Sequence, residues 1–206
     1  MGLTAADVNA PAALQSLLMA SSIESELPGG PSAPPANPFT ASDVAEILRE
    51  RGWLDPASET ADDAALNAWL DRAAQLLGPH APDRDVLASL LDFIFRYDAP
   101  TLLHDPAIQS ARARAREVIR ALANQILDGG EIDSDSFKQI IEALKAALPY
   151  RGPSLFGPIR LALAGAVGEG SLDRVILLLD SAAKLPFVAP VKTTRQRILE
   201  FCAALD

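Results

Sequence analysis

The sequence predicts an all-α protein, a helical bundle of two stacked subdomains behind a flexible N-terminal segment. Three observations predict it. Apolar residues recur at three- and four-residue spacing almost throughout residues 40–206. No alternating strand pattern of any length interrupts them. Pro, Gly, Ser and Asp fall at the boundaries of the periodic runs, where helices start and stop. At 206 residues the chain can bury a proper core without a disulfide or metal staple.

Residues 1–39 include the stretch Pro28 to Pro38, whose five prolines and two glycines rule out helix or central strand, so this segment reads as a flexible linker. Ahead of it, Pro11 to Leu27 can form one short helix. The first helical subdomain is expected over residues 40–130. Val44, Ile47 and Leu48 mark a helix behind Thr40 or Ser42 as cap, and Leu66, Trp69, Leu70 and Ala73 mark a second. Val86, Leu87, Leu90 and Ile94 mark a third, from Pro82-Asp83 to Asp98-Ala-Pro100. Asp105-Pro106 places Pro at a first helical position and opens the longest helix, with Ile108, Ala115, Ile119, Leu122 and Ile126 leading to Gly129-Gly130.

The second subdomain is expected over residues 131–206. Ser134 caps a helix with Phe137, Ile140, Ile141, Leu144 and Leu148 on one face, closed by Pro149. Leu155, Phe156, Ile159 and Leu163 form the next, Gly165 to Gly170 interrupt, and Leu172, Val175, Ile176 and Leu179 resume behind Ser171. Ile198, Phe201, Cys202 and Leu205 lie on the last helix, behind Thr193 or Thr194. Each helix is expected to keep one wet face.

Composition narrows the function classes. Cys202 is the single cysteine and His80 and His104 are far apart, so one chain assembles neither a disulfide framework nor a zinc cluster. The apolar run from Ala12 to Ile23 is broken by Gln15 and serines and has no basic flank, and no run reaches ~18 apolar residues. Cytoplasmic residence with no membrane partner is the expectation. His80 and His104 read as solvated or capping residues, Cys202 as a small hydrophobe, and Asp62-Asp63 and Asp133/Asp135 as partners of helix starts, so no catalytic residue, metal or cofactor is predicted.

Net charge is −9, yet residues 151–206 hold seven basic groups against five acidic ones, which leaves −11 on residues 1–150. Such asymmetry hints at a localised anionic partner. Gly165-Ala-Val-Gly168-Glu-Gly170-Ser171 is not a phosphate loop: it follows a helix rather than a strand, has no lysine before Ser171 and carries Glu169. It reads as a helix-helix turn in which glycines supply positive φ. Arg112, Arg116 and Arg120 recur every fourth residue as a stripe, with Arg114 on another face, and read as a solvated face or a phosphate-facing one. Arg160, alone among Ile159, Leu161, Ala162 and Leu163, either snorkels outward or is held for recognition.

The run Ser154-Leu-Phe-Gly-Pro-Ile-Arg160-Leu-Ala-Leu-Ala-Gly165, a short Gly-rich loop, and Ser171-Leu172-Asp-Arg-Val-Ile-Leu-Leu-Leu179 together resemble the C-terminal anticodon-binding region of bacterial glutamyl-tRNA synthetases. Phe137 to Leu148, the closing Arg197-Ile-Leu-Glu-Phe-Cys-Ala-Ala-Leu205, and Pro82-Asp-Arg84 followed by Phe93-Ile-Phe95 extend the match over roughly residues 40–206. The resemblance implies an anticodon-binding-domain-like helical cage that receives the anticodon bases of tRNA-Glu. It implies base contacts for Arg160, Arg84 and Leu172, a role that the planar guanidinium fork suits. Arg174 and the closing helix, with Arg195 and Arg197, complete the candidate tRNA-binding set.

The family's catalytic motifs, His-x-Gly-His and Lys-Met-Ser-Lys-Ser, have no counterpart here. The expectation is therefore a free-standing, non-catalytic anticodon-binding domain that binds tRNA, tRNA-Glu among them, or assists a separate synthetase catalytic subunit. The alternative is a repurposed helical scaffold for protein-protein interaction with no RNA binding, favoured by the acidic first 150 residues and Glu169.

Overall fold

The computed structural model describes residues 37–56, 63–104, 112–168 and 170–205. The expected helix at Pro11–Leu27, most of the linker and the Asp105-Pro106 helix start lie outside them. The described residues belong to one compact unit and contain nine α-helices, one 3₁₀ turn and no strand. We number the helices α1 (Ala41–Glu50), α2 (Ala64–Leu77), α3 (Arg84–Phe95), α4 (Ala99–Leu103), α5 (Arg112–Asp128), α6 (Ser134–Ala147), α7 (Pro153–Ala164), α8 (Ser171–Ala182) and α9 (Thr194–Leu205), with the 3₁₀ turn Gly78–His80 after α2.

Side-chain caps decide where most of these helices begin. Thr40 accepts from the Asp43 amide and the Asp43 carboxylate accepts from the Thr40 amide, a reciprocal box that also holds the Asp43 carboxyl below its ordinary range. Asp63, Asp83 and Asp98 cap α2, α3 and α4. The cap of α6 is Asp133 rather than the expected Ser134, because its carboxylate reaches the Asp135 and Ser136 amides from an extended backbone. At α9, Thr193 and Gln196 exchange amide-to-side-chain bonds of 2.8 and 3.1 Å. The short α4 was not foreseen: Asp98 caps it and Pro100 sits in its first turn, so residues read as a helix end start another.

α8 departs from the expectation of one wet face. Leu172, Val175 and every residue from Ile176 to Asp180 are buried, since α2, α3, α7 and α9 all pack around it. A helix that is apolar nearly all round belongs in a core, and Val-Ile-Leu-Leu-Leu at 175–179 makes it one.

Two devices fasten other elements to this axle, and a third ties the helices around it to one another. Trp53 stacks on Phe95 at 4.5 Å, Phe187 meets both Phe95 and Trp69 edge-on, and the Trp69 indole donates to Leu178 O. The buried Asp180 carboxylate accepts from the Ile132 amide, the Thr194 amide and the Thr194 hydroxyl at 2.8–2.9 Å, joining the end of α8 to the loop before α6 and to the start of α9. The third device is Arg197. Sequence reading placed it on a basic contact surface, but its exposure is 0%. Its guanidinium donates to Phe93, Ile94 and Leu163 carbonyls at 2.6–2.9 Å and to Lys192 O at 3.2 Å, with the Tyr97 ring 4.5 Å away. The last turns of α3 and α7 leave carbonyls without helical partners, and one charged fork satisfies them. Burial pushes Arg197 down to about 10, which still leaves it a cation at neutral pH.

Candidate nucleic-acid interface

The turn between α7 and α8 starts with a residue that must be glycine. Gly165 has φ +83°, and its amide donates to Arg160 O and Leu161 O at 3.1 Å, closing α7 in the left-handed cap geometry. Among the described glycines of the turn it alone has positive φ. Gly168 answers a different need: a Cβ there would stand 3.0 Å from Leu172 Cδ1. Leu172 itself is 4% exposed and supports the turn from beneath. Gly170 precedes α8 without any side-chain cap. Glu169 lies outside the described residues.

Arg160 binds this turn together. Its Nε and Nη2 donate to the two Asp173 oxygens at 2.7 and 2.8 Å, and Nη1 donates to Gly168 O at 2.6 Å. Phe156, one helical turn earlier, puts its ring 5.2 Å from the guanidinium carbon. The Arg160 and Asp173 side chains are 14% and 22% exposed, so the pair sits at the rim of the core, partly desolvated. A bidentate carboxylate and an aromatic face fix the plane of a guanidinium that would otherwise sample many rotamers.

Arg174 follows Asp173, is exposed, and has no hydrogen-bond or ion-pair partner among the described residues. Beside it opens a cleft of about 240 Å³ between the 3₁₀ turn, the start of α6 and the start of α8. His80, Lys138 and Arg174 line it, with Phe137 and Leu177 as apolar walls.

Of the six expected residues, Arg160, Leu172 and Arg174 therefore come together around one turn. Arg84 does not join them in any described contact. It pairs with Glu46 and Glu50 of α1 at 3.3 and 2.7 Å, and the Glu50 bond holds its guanidinium above the ordinary value. Arg195 donates to Leu127 O at the end of α5, and Arg197 is interior. Of the arginine stripe, Arg116 donates to Leu205 O, while the side chain of Arg112 lies outside the description. Sequence reasoning missed Asp173, which it would take for an ordinary first-turn acid, and missed Phe137 and Lys138 as cleft residues.

The family model described as the anticodon binding domain matches residues 40–183. The chain belongs to that family. Over 112 residues it is 29% identical to Glutamate–tRNA ligase 2 of Syntrophus aciditrophicus (strain SB), a stretch that makes up 54% of this chain and 23% of that protein. The chain thus spans less than a quarter of that relative's length. No solved structure matches significantly. In this anticodon-binding domain, no helix among the described residues is long and apolar enough to cross a membrane, and no His, Cys, Asp and Glu group there could hold a metal ion.

Proposed function

We propose that this anticodon-binding domain binds tRNA through the α7–turn–α8 unit, Arg160 meeting an anticodon base, and that it works without chemistry of its own, on tRNA or beside a separate synthetase catalytic subunit. The observation that carries this reading is the Arg160 guanidinium, fixed in plane by Asp173 and Phe156 at the rim of an otherwise acidic chain. Splayed single-stranded bases are recognised by such groups, through stacking on the plane and hydrogen bonds at its edge. The family match and the likeness to a glutamate–tRNA ligase support RNA as the partner. tRNA-Glu is the first candidate.

A fluorescence-anisotropy titration with tRNA-Glu and with an anticodon-substituted version, at two salt concentrations, tests it. Binding should be tighter than the ~100 μM of weak non-specific association, should favour the natural anticodon, and should weaken at least about tenfold in Arg160→Ala. The proposal fails if low-salt affinity stays poorer than ~100 μM. A protein recovered in stoichiometric complex without RNA would then favour the scaffold reading, to which the engagement of Arg160 by Asp173 already lends some support.

A further inference from the structure

We propose that the cleft beside Arg174 is a backbone-phosphate subsite, holding one phosphate of the single strand whose neighbouring base meets Arg160. It rests on the tRNA-binding reading above and adds to it a second contact point of different chemistry. The cleft draws its basic groups from three separate elements: His80 from the 3₁₀ turn, Lys138 from α6 and Arg174 from α8. Two of the three, Lys138 and Arg174, are cations, brought together in a chain of net charge −9. Among the described residues its one acidic lining residue, Asp173, gives both carboxylate oxygens to Arg160. Lys138 has one counter-charge, Asp135 at 3.4 Å, but these side chains are 76% and 83% exposed, and such a pair is worth well under ~1 kcal/mol and exchanges readily for a phosphate.

Size argues for a backbone element rather than a free ligand. Drug-sized pockets run to roughly 300–1,000 Å³, whereas this one is about 240 Å³ and rimmed by the exposed His80, Lys138 and Arg174. Phe137 and Leu177, 8% and 4% exposed, offer a small apolar wall against which a ribose or base edge can rest. Asp173 lines the cleft and holds Arg160, so one residue borders both contacts.

The two contacts predict different losses. A phosphate contact carries no sequence information, whereas a base contact carries most of it. The test uses the full chain and an anticodon stem-loop hairpin with natural and substituted anticodons, with Kd followed against salt. Arg174→Gln and Lys138→Gln should each lower the slope of log K against log salt by about 0.7 and weaken both hairpins equally, about fivefold at 0.1 M salt. Arg160→Gln should instead erase the difference between hairpins. A methylphosphonate scan of the loop should find one linkage whose neutralisation weakens the wild type and not the Arg174→Gln/Lys138→Gln double variant. Arg174→Lys should retain the wild-type slope, which separates loss of charge from loss of fold. If the wild type binds RNA but the Gln variants keep its slope, the subsite is wrong and the parent reading stands. If the wild type binds no RNA, both fall. A mononucleotide binding as tightly as the hairpin would make the cleft a small-molecule site and overturn the assignment.

Discussion

Arg160 and Arg197 both hold α7, and they hold it for different ends. Arg160 leaves α7 for the turn that follows it and ends at the rim, 14% exposed, on a carboxylate and a loop carbonyl. Arg197 comes from α9 to the last carbonyls of α3 and α7 and is wholly buried. The difference lies in what each loses if removed. Without Arg197, four backbone carbonyls lose a donor, three of them at the ends of helices packed into the core. Without Arg160, the groups left behind are close enough to solvent to recover hydrogen bonds with water.

The largest expected effect follows from this contrast. Arg197→Met should cost more than about 3 kcal/mol, because each orphaned buried carbonyl is worth ~1–3 kcal/mol and domains of this size are stable by only ~5–15. Urea unfolding monitored by circular dichroism measures it, and a cost under about 1 kcal/mol would show that the knot is not a stability element. Asp180→Asn comes next, at about 1–3 kcal/mol, since one acceptor must now serve the Ile132 and Thr194 amides as an amide oxygen.

Tyr97 sharpens the same seam through pH. Its hydroxyl donates to Ala162 O at 2.5 Å inside the core, and burial raises its pKa well above the ordinary 10.0. An acid whose folded pKa is raised stabilises the fold fully below its unfolded value and loses that contribution as pH climbs from 10.0 toward the folded value. In a Tyr150→Phe background, tyrosinate absorbance should appear only together with unfolding, and the melting temperature should fall from about pH 10 upward. Ionisation well before unfolding would refute the buried hydrogen bond.

Fold class, helix order and most helix bounds were legible because apolar periodicity and capping residues act locally: Thr40, Asp83 and Gly165 each do in the structure what their neighbours imply. Partner choice across the chain was not. Arg197 stands beside Arg195 in a polar helical turn and reads as part of a basic surface, yet it is wholly buried, while Arg160, among apolar neighbours, reaches the rim. Three of the four carbonyls that Arg197 serves lie 103, 104 and 34 residues away in sequence, beyond any local signal. The same distance hid the meeting of His80, Lys138 and Arg174. The buried α8 was half visible, in its unbroken apolar run, but its four packing neighbours were not.

The smallest effect on stability tests the site most finely. Arg160→Met, Asp173→Ala and the double variant should give a coupling energy of about 1–2 kcal/mol, below the cost of Arg197→Met, because hydrogen bonds to charged groups net ~1.5–3 kcal/mol and this pair is only partly desolvated. RNA binding should respond to Asp173→Ala in two opposite directions. Losing a negative charge beside Arg174 raises affinity for any anionic strand, most visibly at low salt. Losing the carboxylate that fixes the Arg160 plane lowers discrimination between anticodons, since a guanidinium free to rotate no longer presents one edge. The expected outcome is therefore tighter but less selective binding, measured as the ratio of Kd values for matched and substituted hairpins. Asp173→Ala that binds more tightly with the ratio intact would mean that the carboxylate only occludes Arg160, and that Phe156 alone orients it.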